Sequence, residues 1–281
     1  MSDLPDQASS PAVPPPTRRE RRAGASVRTP RRIYPPGPLT VLATVAYAAL
    51  IALTGFAGAE LVALAVVLGG LVLAWGWPVL LNLPSPRGST GVLATGTLLM
   101  AAAVVLTRRD PFLAWVPAAL AVSVVIAFLH QLMRRDGRPR LTESVAGTTT
   151  GLAIISSGVA LAPLPHVLGG GAALAAAMAG LGVGALADPL IGVKRLRQWA
   201  LPIGMVLGGL AALAVGLVAG EAQTAAMVLL GLMAAGVSHA CRRIMAVLPS
   251  AGSARAQLAM SASSSMVIGV VVYGVVRHFV A

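Results

Sequence analysis

From Leu39 onward the chain is written as long apolar runs separated by short polar or basic connections. Taking continuous stretches of Ala, Leu, Val and Gly of about 17 to 25 residues as the unit, we read nine of them: 39–55, 58–81, 91–107, 111–133, 141–163, 166–187, 199–220, 222–247 and 257–279. Runs of this length predict helices that cross a membrane, because in hydrocarbon a helix satisfies its own backbone groups. The alternating segments of about ten residues that a closed membrane barrel needs are not there. The expected fold is all-α, a polytopic transmembrane helical bundle of about nine spans with its N-terminus inside. Residues 39–281 form that domain. Residues 1–38 are rich in proline and arginine and hold almost nothing apolar to pack, so a disordered basic cytoplasmic tail is expected there. A cleaved signal peptide is not, since the basic region is too long and further spans follow the first.

Composition narrows the class. With 57% hydrophobic residues, 11% charged residues and a mean hydropathy of +0.83, there is more apolar sequence than a soluble core can bury. Arginine supplies nearly all the basic residues, and Ala, Gly and Pro abound, as in proteins of high-GC bacteria; a bacterial cytoplasmic (inner) membrane is the expected location. The single cysteine, Cys241, forms no internal disulfide and reads as a small buried residue.

Charge fixes the expected orientation. The stretch from His130 to Glu143 places Arg134, Arg135, Arg138 and Arg140 between two apolar runs. Each arginine at mid-bilayer would cost several kcal/mol, so this connection lies in water beside anionic headgroups and marks the cytoplasmic side. Alternation then puts the tail, Arg87, Lys194, Arg195, Arg197, Arg242, Arg243 and Arg255 on the same side. Only Arg108, Arg109 and Arg277 fall on the other. The hairpin 107–111 is the awkward one, carrying two arginines on the side that should be poor in them. The net charge of +12 is therefore read as topology rather than nucleic-acid binding.

Four glycine pairs four residues apart predict faces for close helix packing: Gly147 with Gly151, Gly180 with Gly184, Gly204 with Gly208, and Gly216 with Gly220. Pro117, Pro163, Pro165, Pro189 and Pro202 mark kinks or ends, and discontinuous helices are not evident.

Candidate chemistry is sparse. Glu60, Glu143 and Asp188 lie near span ends, none at mid-bilayer, which argues against ion-coupled transport. The fifth span is polar, with Thr142, Ser144, Thr148, Thr149, Thr150, Ser156 and Ser157. These could line a headgroup-sized cleft or bond back to helix carbonyls, and Ser261, Ser263, Ser264 and Ser265 in the ninth span pose the same choice. His130, His166, His239 and His278 have no ligand partners at metal spacing, so neither a metal nor another cofactor is expected, and no catalytic residues are assigned. What remains is a set of cations on one face: Arg134, Arg135, Arg138, Arg140, Lys194, Arg195, Arg197, Arg242 and Arg243. Arginine's planar fork suits phosphate, so these are the candidate lipid-headgroup residues.

The last third resembles the phosphatidate cytidylyltransferases, multispanning enzymes that make CDP-diacylglycerol from phosphatidic acid and CTP with divalent metal. Arg242-Arg243 resemble the Lys-Arg pair of the family signature, and residues 249–259 fall where its Pro-Gly-His-Gly-Gly-x-x-Asp-Arg-x-Asp segment would stand. Pro249 and Gly252 match. The histidine position is Ala251, the aspartates are Ala256 and Ala259, the arginine is Gln257, and the upstream acids correspond to Ala235 and Ser238. The segment Lys194-Arg195-Leu196-Arg197-Gln198-Trp199 is similar to a family loop, with Ala200 in place of its glutamate. From Ala222 onward there is no acidic residue, so the resemblance implies a relative that has lost the metal site. The expected role is a non-catalytic one, with anionic membrane lipids, a membrane-protein partner or a second copy as the partner and no nucleic acid. A transporter for a small or amphipathic solute is the first alternative. A lipid-modifying enzyme using Asp136, Glu143 and Asp188 is the second.

Overall fold

The computed structural model describes residues 36–280 apart from Arg108, Asp136 and Arg138. The expected disordered tail and the headgroup role of Arg138 lie outside the described residues, as does Asp136. Among them the chain forms ten α-helices: α1 (Pro38–Ala57), α2 (Ala59–Leu80), α3 (Pro86–Leu106), α4 (Val116–Met133), α5 (Leu141–Val159), α6 (Gly170–Ala185), α7 (Ala200–Val218), α8 (Thr224–Met245), α9 (Ala254–Met266) and α10 (Gly269–Phe279). Short 3-10 turns follow α5 at Leu164–His166 and α6 at Asp188–Gly192. Helices α9 and α10 together make one span, so the described residues hold nine helices long and apolar enough to cross a membrane. The protein is an all-α multi-pass membrane bundle.

Prolines account for most differences from the boundaries read in the sequence. Helix α3 begins at Pro86 rather than residue 91, since proline's fixed φ and missing N–H suit a first helical position. Helix α4 begins at Val116 rather than 111, because Pro111 opens a separate turn before Pro117 starts the helix. Pro165 and Pro189 sit in the 3-10 turns, and Pro163 immediately precedes the first of them. The ninth span is interrupted at Val267–Ile268, which corrects the expectation of continuous helices. Ser157 of α5 mends that break: its hydroxyl donates to the Val267 carbonyl (2.8 Å) and accepts from the Val270 N–H (3.1 Å).

Helix α6 is the centre. Most of the Gly170–Gly192 span is buried, against 22% of Val116–Met133. It packs on α1, α7 and α8; α2 to α5 form a second group, and α9 joins the two by packing on α2, α1, α8 and α5. Glycine makes the α6–α7–α8 crossing close. A Cβ on Gly180 would lie 2.6 Å from the Gly231 Cα and 2.8 Å from the Gly208 carbonyl oxygen; one on Gly184 would lie 2.9 Å from the Gly204 oxygen. Gly147 and Gly151 likewise face Leu81, Leu83, Leu93 and Trp77 across α5. Gly220 is the exception to the expected packing pairs: it lies past the end of α7 with φ +72°, where its role is the left-handed turn.

Contacts between loops sort the two ends. At one end Arg140 donates to the Asn82 carbonyl (2.9 Å), the Ser85 hydroxyl lies 3.3 Å from His130 Nε2, and Gln257 packs on Gly37. This end carries the 134–140, 194–197 and 242–255 cations, and we call it the basic end. At the other, Arg277 pairs with Asp110 (2.8 Å) and Phe112 stacks on His166. The 107–111 hairpin therefore shares an end with the C-terminal helix, as alternation requires. Cysteines introduced at Gly137 and Pro165 in a Cys241→Ser background should be labelled from opposite sides of sealed vesicles; labelling from one side would end the nine-span arrangement.

Candidate functional site

Helix α8 buries one continuous stripe: Met227, Leu230, Gly231, Ala234, Ala235, Ser238, His239, Arg242 and Met245. Each member has another three or four residues away, so one face carries the small residues that meet α6 and then, at the basic end, a serine, a histidine and an arginine. Opposite them stands Asp188, which opens the 3-10 turn just after α6. Proline at 189 helps to fix that turn and holds the carboxylate against α8 rather than letting the helix run on.

The result is an enclosed polar network. Asp188 and Arg242 are fully buried and His239 is 2% exposed. Arg242 donates from Nε to Asp188 Oδ2 (2.6 Å) and from Nη2 to Oδ1 (3.3 Å), a two-pronged grip on one carboxylate. Its Nη1 donates to the Ser238 hydroxyl and to that of Ser264 on α9 (3.4 Å). His239 Nδ1 lies 2.7 Å from Asp188 Oδ1. A carboxylate already held by a guanidinium can only accept there, so Nδ1 carries the proton. Nε2 is enclosed and has no partner among the described residues. Carboxylate and guanidinium cancel, so the network is neutral when His239 is. That makes burial affordable and ties α6, α8 and α9 to one point.

Arg242 thus departs from its expected headgroup role, because it points inward on the buried stripe of α8. The remaining cations divide. Arg140 pairs with Glu143, its Nε 2.8 Å from Oε2, and that contact holds the Arg140 guanidinium in its charged form even more firmly than usual. Arg134 donates to the buried Gln131 (2.8 Å), and Arg197 turns back onto the Ile191 carbonyl (3.0 Å). Arg135, Lys194, Arg195 and Arg243 are exposed at the basic end. Asp188, His239 and Arg242 were each visible in the sequence but not their meeting. The spacing Ser238, His239, Arg242 on the same face as Gly231 and Ala235 was the available signal; it separates Arg242 from Arg243, which lies on the exposed side.

The serine and threonine clusters mostly bond to helix carbonyls. Thr149 donates to Val145 (2.9 Å), Thr150 to Ala146 (2.7 Å), Ser264 to Ser261 (3.0 Å) and Ser265 to Ser261 (3.1 Å). Among the described residues no three His, Cys, Asp or Glu side chains come together as metal ligands. Glu143 and Asp188, which a lipid-modifying enzyme would need together, are each engaged with a different arginine. A cavity of about 300 Å³ opens at the opposite end between α2, α3 and the turn after α5, lined by Glu60, Thr107, Phe112 and His166.

No protein-family model, curated protein or solved structure matches this chain. The cytidylyltransferase resemblance therefore stands on the quoted residues alone.

Proposed function

We propose that this protein works without catalysis, as a membrane scaffold whose basic end binds anionic lipid headgroups. The observation that carries the reading is a surplus of exposed cation. Among the described residues, the acids at the basic end are Glu143 and Asp188, and both are already paired within the protein. Lys194, Arg195 and Arg243 are exposed there with no carboxylate of their own among those residues. Trp75 and Trp199, 45% and 54% exposed near the same end, suit the headgroup level where aromatic side chains anchor membrane proteins. An anionic surface beside such residues gains about 1 kcal/mol per cation.

The alternatives have less behind them. Transport would be favoured by polar groups left open at a broken helix, and at the break in the ninth span Ser157 occupies them. Catalysis by a cytidylyltransferase-like route would need carboxylates near 249–259, where the chain has none.

The test is retention of phosphatidylglycerol against phosphatidylcholine, read by native mass spectrometry of the detergent-released protein. Lys194→Glu, Arg195→Glu and Arg243→Glu together should lower the preference for phosphatidylglycerol by about fivefold per position, with a loss that salt mimics in the wild type. A preference unchanged by the triple reversal would sink the reading. A magnesium-dependent CTP adduct would replace it with an enzyme.

A further inference from the structure

A lateral groove of about 410 Å³ opens between α1, α2 and α9 toward the surrounding lipid. Its walls include Tyr47 from α1, Leu68 and Val72 from α2, and Leu258, Ser261 and Ala262 from α9, with Ala46 of α1 at its rim. We infer that this groove holds one acyl chain of an anionic phospholipid from the leaflet at the basic end, with the phosphate at Arg255. The inference rests on the lipid-binding reading above and narrows it to a single bound lipid.

Depth and direction come from helical spacing. Leu258 and Ala262 lie roughly 6 and 12 Å along α9 from its start at the basic end, within the roughly 15 Å of hydrocarbon that one leaflet contributes. Arg255, Leu258 and Ala262 follow one another at three and four residues, so they share a face of α9. Leu68, Val72 and Trp75 share a face of α2 in the same way. The groove therefore runs toward the basic end and meets Arg255 and Trp75 there. Those two are in contact: the guanidinium lies 4.4 Å over the Trp75 ring, and Nη2 donates to the Trp75 carbonyl (3.0 Å).

The chemistry at that mouth is one-sided. Arg255 is exposed and has no carboxylate partner among the described residues, and a guanidinium with N–H groups left over suits a phosphate oxygen. It stands in the first turn of α9, whose positive end adds to the attraction for an anion. Gln257 packs on Gly37, so the chain enters α1 at this same end. Below the mouth the walls are almost wholly apolar. The Tyr47 ring lies over Gly69, and its hydroxyl is enclosed without a partner among the described residues. An acyl chain offers that hydroxyl nothing, so selectivity must come from the Arg255 end. A second copy of the chain in the same groove would carry its own arginines to this cationic mouth, which charge disfavours.

The experiment is photo-crosslinking in phosphatidylcholine nanodiscs doped with phosphatidylglycerol that carries a diazirine midway along one acyl chain, with the labelled peptides mapped by mass spectrometry. Label should concentrate on residues 43–50, 68–72 and 258–262. It should fall about fivefold in Arg255→Gln and be lost from these segments in Ala46→Trp, which fills the groove from an exposed position. It should be weaker with a phosphatidylcholine probe. Label spread evenly over outward faces such as α4 and α7 means annular lipid only and overturns the site. So does undiminished label in Ala46→Trp of unchanged melting temperature, or protein–protein crosslinks through the same segments. Reversal of Lys194, Arg195 and Arg243 should leave the groove label in place. If the groove label is absent while those reversals still abolish the phosphatidylglycerol preference, the general reading survives and this one does not.

Discussion

Arg242→Met should lower the melting temperature of the purified protein by on the order of 10 °C, while Arg243→Met, one residue away, should leave it within the error of the measurement. Removing the guanidinium strands the fully buried Asp188 carboxylate, together with the Ser238 and Ser264 hydroxyls that Arg242 engages. Breaking a buried pair from one side costs about 3 to 5 kcal/mol, because the surviving charge has lost its compensation, and in a protein of this size each kcal/mol moves the midpoint by about 2 to 4 °C. The partner substitution discriminates between a lost charge and a lost shape. Asp188→Asn with Arg242→Met removes both charges and keeps an acceptor for His239, so it should recover most of the stability. Melting followed by size-exclusion elution in one detergent reads all three variants. Equal midpoints for the Arg242 and Arg243 variants would show that the network holds nothing together.

Gly180→Leu should be as damaging for a different reason. The position faces backbone on two neighbouring helices, and backbone cannot swing aside as a side chain can. Even a methyl group there meets the Gly231 Cα at 2.6 Å and the Gly208 oxygen at 2.8 Å. Alanine should cost about 1 to 3 kcal/mol by overpacking, and leucine should prevent α6, α7 and α8 from closing at all. Gly91 and Gly274 provide the control. Both lie in helices with open space where a Cβ would go, so alanine should be neutral or gain up to about 1 kcal/mol. Yield and melting temperature of the four variants decide it; a Gly180→Ala protein as stable as Gly274→Ala would mean that the three helices are farther apart than described.

The spans were legible because a membrane helix announces itself by length and by the cost of any charge inside it. Their ends were less so. Residues 86–90 are polar enough to read as loop, and only the local geometry of Pro86 brings them into α3. Gly216 and Gly220 looked like the other spaced pairs because sequence spacing cannot say where the helix stops. The buried network was hidden by the very rule that revealed the topology. Counting each arginine toward one side treats all of them as loop residues, and Arg242 satisfies the count while pointing the other way. Asp188 is 51 residues from His239 and 54 from Arg242, so nothing local ties them together. The small-residue stripe of α8 did carry the information, in the form of which side of that helix must face protein.

The same separation along the chain sets an order of assembly during synthesis. Asp188 leaves the ribosome first, at the membrane surface, where water and headgroups can still surround it. Its guanidinium arrives only when α8 has been made, and Ser264 arrives last, 22 residues after Arg242. The bundle therefore cannot lock its centre span by span as each helix is inserted. It must keep α6 loosely seated until the eighth span brings the counter-charge, and the ninth closes over a pair that is already neutral.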